Sequence, residues 1–416
     1  MRPAHFALSA SFLVLLAACG ASGSDGGDDA GAPDDAGGDL GVVGGGTDAT
    51  RDTPPPTDGG GDGARDTRDG GGEVAPSDAP ADAPPDAPVA TATIHTIGRF
   101  DATDPAALRF EWPASAIVAT FDGTTLDARL VGDANMQIQV VVDGAATSVI
   151  KPAAGTDTYT VASGLPAGKH TVMLYRRTES FFQPLKFGGF SPASALVPSP
   201  APHARTIELV GDSITCGYGD EGTSASCPFT PDTENEYLTY GALTARALDA
   251  DQVAIAWSGK GMYRDYGGGT TEQMPELWDR TIPTEATSAW AFTGYTPDAV
   301  VINLGTNDFA KGDPGAPFVD AYVAFLAKVR GRYPGAFVFC TTSPLLGGTE
   351  AAQHKGYVQA AIDARKAKGD TRVALVDFPT QDGAVDGLGC DYHPSLKTHA
   401  KMAAILTAAI KAQLGW

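Results

Sequence analysis

The chain has 416 residues, with 50 acidic against 29 basic side chains, a formal net charge of −21 and five cysteines. That balance, without a basic stripe or a helix-turn-helix pattern, argues against nucleic acid as a partner. No apolar run beyond the N-terminus is long enough to span a bilayer.

The chain opens on an address. Arg2 supplies a positive charge, and an apolar run from Ala7 to Ala18 ends in small residues, as a secretory signal does. The run closes on Leu16-Ala17-Ala18-Cys19, which resembles a bacterial lipobox, in which Cys19 becomes the lipidated N-terminus. The expected location is therefore outside the cytoplasm, anchored by lipid to the cell envelope. The absence of Asp after the cysteine resembles an outer-membrane destination if the cell is Gram-negative.

Residues 20–92 read as a tether. They are almost wholly Gly, Asp, Ala, Pro and Thr, and cannot bury enough apolar surface to offset their ordering entropy. Fifteen Asp and one Glu against three Arg give this segment −13 of the total charge. The acidity thus belongs mostly to a solvated spacer, whose mean reach as a flexible coil is roughly 50 Å.

Residues 93–195 predict an all-β domain. Short alternating runs recur at 108–112, 117–121, 136–142, 158–161 and 171–175, separated by Asp122-Gly123, Asp143-Gly144 and Pro166-Ala167-Gly168. Strands this short with such turns suggest a sandwich or jelly roll. A proline-rich stretch, 196–203, then marks a hinge.

Residues 204–416 alternate differently. Continuous apolar runs at 206–210, 253–257, 299–303, 336–339 and 373–376 are separated by helical patterns around 237–248, 318–329 and 353–365. A last helix is expected over 396–414. Buried strands alternating with amphipathic helices predict an α/β fold with a doubly wound parallel sheet, whose ligands bind beyond the strands' carboxyl ends.

Those ends carry polar clusters: Gly211-Asp212-Ser213-Ile214-Thr215, Ser258-Gly259-Lys260-Gly261, Gly305-Thr306-Asn307-Asp308 and Asp391-Tyr392-His393-Pro394. Together they suit acyl transfer. A serine hydroxyl needs a base to become a nucleophile, and His393 is the histidine so placed. The oxyanion of a tetrahedral intermediate needs fixed donors, which the amides of Ser213 and Gly259 and the Asn307 side chain would supply. Asp391 would accept the other imidazole proton, and Pro394 would fix the chain after His393.

Blander readings stand beside these. Ser213 alone would be a helix cap and Asn307 a turn residue, while Gly259 and Gly261 would serve close backbone approach. Asp212 and Asp308 read as turn or capping residues, and His354 and His399 as surface or satisfied positions. Cys390-x-x-His393 lacks the second pair that a zinc site needs, so no metal is expected.

At this point the residues resemble a known family. Ser213, Gly259, Asn307 and His393 fall in the order that names the SGNH (GDSL-type) hydrolases. The wording is similar to carbohydrate esterase family 2: G-D-S-I-T-x-G-Y-G, a helix Glu234-Asn-Glu-Tyr-Leu-Thr-Tyr-Gly241, W-S-G-K-G, G-T-N-D and D-x-H-P. The resemblance implies a jelly roll joined to an SGNH domain, and deacetylation of xylan, glucomannan or related oligosaccharides without a cofactor. It implies Ser213 as nucleophile, His393 as base, and Gly259 with Asn307 at the oxyanion. Most SGNH enzymes carry the acid three residues before the histidine, where this chain has Cys390. Asp391 stands two before it, as in some family 2 members, while others orient the histidine through a main-chain carbonyl. Tyr392 is similar to the aromatic beside the histidine on which a sugar would stack. An SGNH lipase or thioesterase, or an inert glycan-binding lipoprotein, are the other readings.

An exported protein matures where disulfides form. Cys216 and Cys227 lie close together on the segment after Ser213, so a bridge between them is expected at the mouth of the crevice. Cys340 and Cys390 follow strand ends, with nothing in the sequence to fix their separation.

Overall fold

The computed structural model describes residues 94–199 and 201–416. The expected leader, Cys19 and the tether lie outside these residues. Among the described residues no helix is long and apolar enough to cross a membrane.

The first domain is a β-sandwich. One antiparallel sheet runs in the order His95–Ile97, Ala116–Asp122, Lys169–Arg176, Ile138–Val142, Ala145–Ile150, and Leu196–Val197 also pairs with Ala116–Asp122. The other runs Leu108–Phe110, Leu185–Ser191, Leu126–Val131, Thr158–Ala162. Phe110, Phe121, Leu130, Ile138, Leu174 and Phe187 are buried together in the apolar core between them. Five of these strands were not expected, among them His95–Ile97 and the two-residue Leu196–Val197 within the stretch read as a hinge. Leu126–Val131 and Leu185–Ser191 carry Asp, Arg, Lys or Gly among their core residues, and Ala145–Ile150 is almost wholly exposed. Their pairing is decided by neighbours across the sheet, not by local propensity.

The second domain holds five parallel strands: Thr206–Gly211, Asp251–Ala256, Ala299–Asn303, Phe337–Thr341 and Val373–Val376. Numbered by sequence, they lie in the order 2-1-3-4-5, so the winding reverses beside the first strand. In such sheets the crevice opens beyond the strand ends at that reversal. Helices Gly315–Arg332 and Gly348–Lys366 cover one face through Phe318, Phe325, Val358 and Ile362. Helices Tyr240–Ala247 and Leu396–Leu414 cover the other through Tyr240, Met402, Leu406 and Ile410. Ser395 caps the last helix, so Pro394 sits just outside it and links His393 to the cap.

The two domains share buried contacts. Trp112 of the sandwich packs into the core that also holds Val210 and Trp278. Arg99, fully buried, reaches Glu208 on the first parallel strand at 3.4 Å. Glu208 also accepts from Trp278 Nε1 at 2.6 Å and from Tyr333 Oη at 3.0 Å. Its charge is thus matched and hydrogen-bonded, as burial requires.

Candidate active site

The first parallel strand runs straight into a one-turn helix, Ser213–Cys216. The turn is tight enough that a β-carbon on Gly211 would lie 1.9 Å from the Thr215 hydroxyl. Asp212 caps this helix by accepting from the Ile214 N–H at 3.1 Å. Burial raises the Asp212 pKa to about 7.

Ser213 Oγ lies 2.8 Å from His393 Nε2, and His393 Nδ1 lies 3.1 Å from the main-chain carbonyl oxygen of Asp391. A carbonyl only accepts, so Nδ1 carries the hydrogen and the neutral ring turns its Nε2 lone pair to the serine hydroxyl. Removal from water lowers the His393 pKa to about 4, so the ring is an unprotonated base at neutral pH.

The Asp391 carboxylate does not face the imidazole as the sequence reading expects. Its Oδ2 accepts from the Tyr218 hydroxyl at 3.0 Å and from the Phe229 N–H at 3.2 Å. The backbone explains the reversal. Asp391 and Tyr392 have φ of 50° and 64°, in the left-handed region. This costs roughly 1–2 kcal/mol per non-glycine residue. In that turn the side chain of Asp391 reaches the 218–229 segment while its carbonyl meets the histidine. Tyr218 completes the support: its ring lies 4.3 Å from the imidazole and stacks on Phe229 at 4.0 Å.

The expected Cys216–Cys227 bridge is corrected as well. Cys227 bonds Cys390, 163 residues away, with Cα atoms 4.7 Å apart. Cys216 is free and fully buried because the one-turn helix points it inward, and Cys340 is also free and buried. The Cys227 carbonyl further accepts from the Asp391 N–H at 3.2 Å, so the bridge and this bond tie the glycine-rich segment to the strained turn.

The second strand delivers Ser258 and Gly259, the latter at φ 79°, a conformation suited to glycine. Among the described residues, neither the Ser213 nor the Gly259 N–H donates to a protein acceptor. Asn307, on the short helix Thr306–Phe309, donates from Nδ2 to the Lys260 carbonyl at 2.8 Å and to Asp212 Oδ2 at 3.4 Å. The Asp308 carboxylate accepts from the N–H groups of Met262, Tyr263 and Arg264 at 2.7–2.9 Å, clamping the following loop. Gly261 lies so close to that loop that a β-carbon would stand 2.0 Å from the Arg264 carbonyl. The structure therefore gathers Ser213, Gly259, Asn307 and His393 around one crevice, with Tyr392 about half exposed beside it.

His354 and His399 are buried, the first with both ring nitrogens hydrogen-bonded and the second with one. His354 Nε2 lies 3.0 Å from the Leu304 carbonyl, just ahead of Gly305, and His399 Nδ1 accepts from the Tyr240 N–H at 3.2 Å. Sequence reasoning missed Tyr218, Phe229 and Glu179. Tyr218 was within sight, inside the G-Y-G after the serine motif. Glu179 belongs to the other domain, and no spacing links it to the crevice.

Comparison with known proteins places both domains. Residues 96–202 match the carbohydrate esterase 2 N-terminal model, and residues 209–401 match the GDSL-like lipase/acylhydrolase family. The chain is 41% identical over 321 residues to the cellulase/esterase CelE of Acetivibrio thermocellus, covering 77% of this chain and 39% of that longer protein. It is 30% identical over 329 residues to an acetylxylan esterase / glucomannan deacetylase of Cellvibrio japonicus, covering 76% of this chain and 88% of that protein. A solved family two carbohydrate esterase from Clostridium thermocellum, in complex with cellohexaose, superposes with a TM-score of 0.75 at 41% identity, covering 78% of this chain and 100% of that one. With both of its domains matched in order and a relative matched over nearly its whole length, the chain belongs to carbohydrate esterase family 2.

Proposed function

We propose that the protein is an exported, lipid-anchored serine esterase that removes O-acetyl groups from plant-type polysaccharides or oligosaccharides, such as xylan and glucomannan, through an acyl-enzyme. The observation that carries this reading is the 2.8 Å contact between Ser213 Oγ and a neutral His393 whose other nitrogen is held by a carbonyl. Export and anchoring rest on the leader that ends at Cys19, and the acidic tether would hold the enzyme off the membrane.

In the reaction, Ser213 Oγ attacks the acetyl carbonyl while His393 Nε2 takes its proton. The negative charge that develops on the carbonyl oxygen is received by the Ser213 and Gly259 amides and by Asn307. The Lys260 carbonyl takes one Asn307 amide hydrogen at 2.8 Å and Asp212 Oδ2 takes the other at 3.4 Å, so the oxyanion would replace the longer of the two bonds. His393 then gives its proton to the departing sugar oxygen, which leaves as a hydroxyl, and water, deprotonated by the same nitrogen, attacks the acetyl-serine and releases acetate. No step needs a cofactor. Tyr392, exposed at the rim, offers an apolar face for a sugar ring.

The test is NMR of acetylated xylan and glucomannan incubated with the protein and with Ser213→Ala. Acetate release by the parent alone supports the reading. Preference for octanoyl over acetyl nitrophenyl esters would favour a lipase instead.

A further inference from the structure

We propose that Glu179, a residue of the β-sandwich, is a positioning residue for this reaction: its carboxylate fixes the Ser258–Gly259 segment and thereby sets where the Gly259 amide meets the oxyanion. The inference rests on the oxyanion role given to Gly259 above.

Glu179 follows the strand Lys169–Arg176 and is fully buried. Its two oxygens take both donors of one residue across the domain boundary. Oε2 accepts from the Ser258 N–H at 2.7 Å and Oε1 from the Ser258 hydroxyl at 2.6 Å. A two-point grip fixes orientation as well as distance, and bonds to a buried carboxylate are among the stronger hydrogen bonds.

Glu179 is itself held in place. Its N–H donates to Glu234 Oε2 at 3.2 Å and its carbonyl accepts from Arg176 Nη2 at 2.9 Å. The neighbouring Arg177 grips the Glu234 carbonyl through Nε at 3.0 Å and Nη2 at 2.8 Å.

The far end of the oxyanion segment has its own clamp. Gly261 N–H donates to Gln273 Oε1 at 2.9 Å, and Asp308 binds the next three N–H groups. Gly259 and Lys260 are thus slung between a sandwich carboxylate and an α/β carboxylate, with Asn307 attached to the Lys260 carbonyl. Loosening Ser258 would shift two of the three oxyanion donors together.

Glu179, Glu234 and Cys216 each bring a ligand atom to within 4.8 Å of the others. Burial raises the pKa of both carboxyls. Both Glu179 oxygens are already engaged by Ser258, so the structure gives this carboxylate a use other than holding a metal.

The experiment compares Glu179→Ala, Glu179→Gln, Ser258→Ala and Ser213→Ala on an acetyl nitrophenyl ester, in full-length protein with a parent-like thermal melt. Misplacing a group by an ångström costs roughly a hundredfold, so Glu179→Ala should lower kcat about ten- to a hundredfold with KM within about threefold. Ser258→Ala keeps the main-chain bond and should lose about three- to tenfold. Glu179→Gln should recover most of the rate, since its amide accepts from the Ser258 N–H and donates to the Ser258 hydroxyl. Affinity for a trifluoromethyl ketone analogue should fall in parallel with kcat, which a mere packing role would not produce.

A folded Glu179→Ala and Ser258→Ala with kcat within about twofold of the parent, against that same scale, overturn the inference. If Glu179→Ala does not fold, Ser258→Ala decides, because it leaves the carboxyl pair intact. An inactive Ser213→Ala beside fully active Glu179 and Ser258 variants removes this inference alone. An active Ser213→Ala removes the serine mechanism beneath it.

Discussion

The parallel-sheet domain and the sandwich stand in different relations to the crevice. The sheet domain places its reactive groups at the ends of successive strands, where fold and chemistry follow one rule. The sandwich places none there, yet it buries Arg99 against Glu208 and aims Glu179 at Ser258. On the proposed reading, one domain supplies the reacting groups and the other supplies their support. A domain with no reactive cluster of its own can therefore touch the site through buried polar contacts with its neighbour.

Breaking the reacting side should give the largest effect. Ser213→Ala should cut turnover on the order of a million-fold without unfolding the protein, measured with an acetyl nitrophenyl ester. More than a few per cent residual activity in clean protein would contradict the assignment. On the supporting side, Arg99→Ala leaves Glu208 buried without its cation. The expected cost is about 3–5 kcal/mol of stability by denaturant titration, with loss of both domains' signals in one transition. Separate transitions would show that the sandwich does not brace the sheet domain.

Asn307→Ala should lower kcat roughly a hundred- to a thousandfold, with KM moving less. An unchanged kcat would make Asn307 only a holder of Lys260. The smallest effect belongs to Asp391→Asn. The amide oxygen still accepts from Tyr218 and Phe229, and the main-chain carbonyl still faces His393. The loss should stay under about tenfold, whereas a true triad acid costs about ten-thousandfold. A loss of the larger size would restore the carboxylate as the histidine's partner.

The acid limb of kcat/KM sharpens the same point. A folded-state pKa lowered toward about 4 leaves His393 neutral above that value and protonates it, ending its role as base, as pH falls through it. The midpoint should lie below the ordinary histidine value of about 6.5. A midpoint at or above that value would mean that an anionic partner stabilises the imidazolium.

The sheet domain was readable because its strands are continuous apolar runs closed by polar clusters, and because the period of helix Leu396–Leu414 is regular throughout. Half of the sandwich was less so, since strands such as Ala145–Ile150 have little local signal. At the site, Ser213 and His393 stood in motifs, and the structure puts them in contact. The direction of Asp391 did not, because it depends on two left-handed residues that no motif announces. The Cys227–Cys390 bridge spans 163 residues, and nearness in sequence pointed to the wrong partner for Cys227. Glu179 was invisible for the same reason: its role exists only where two domains meet.

The most direct test of the central claim is to trap the covalent intermediate. The protein is mixed with an acetyl nitrophenyl ester, quenched in acid within the first turnovers, digested and examined by mass spectrometry. The account requires one acetyl group on the peptide that carries Ser213, absent from Ser213→Ala. Release of acetate at full rate with no acetyl on that peptide, and with Ser213→Ala still turning over, would contradict it.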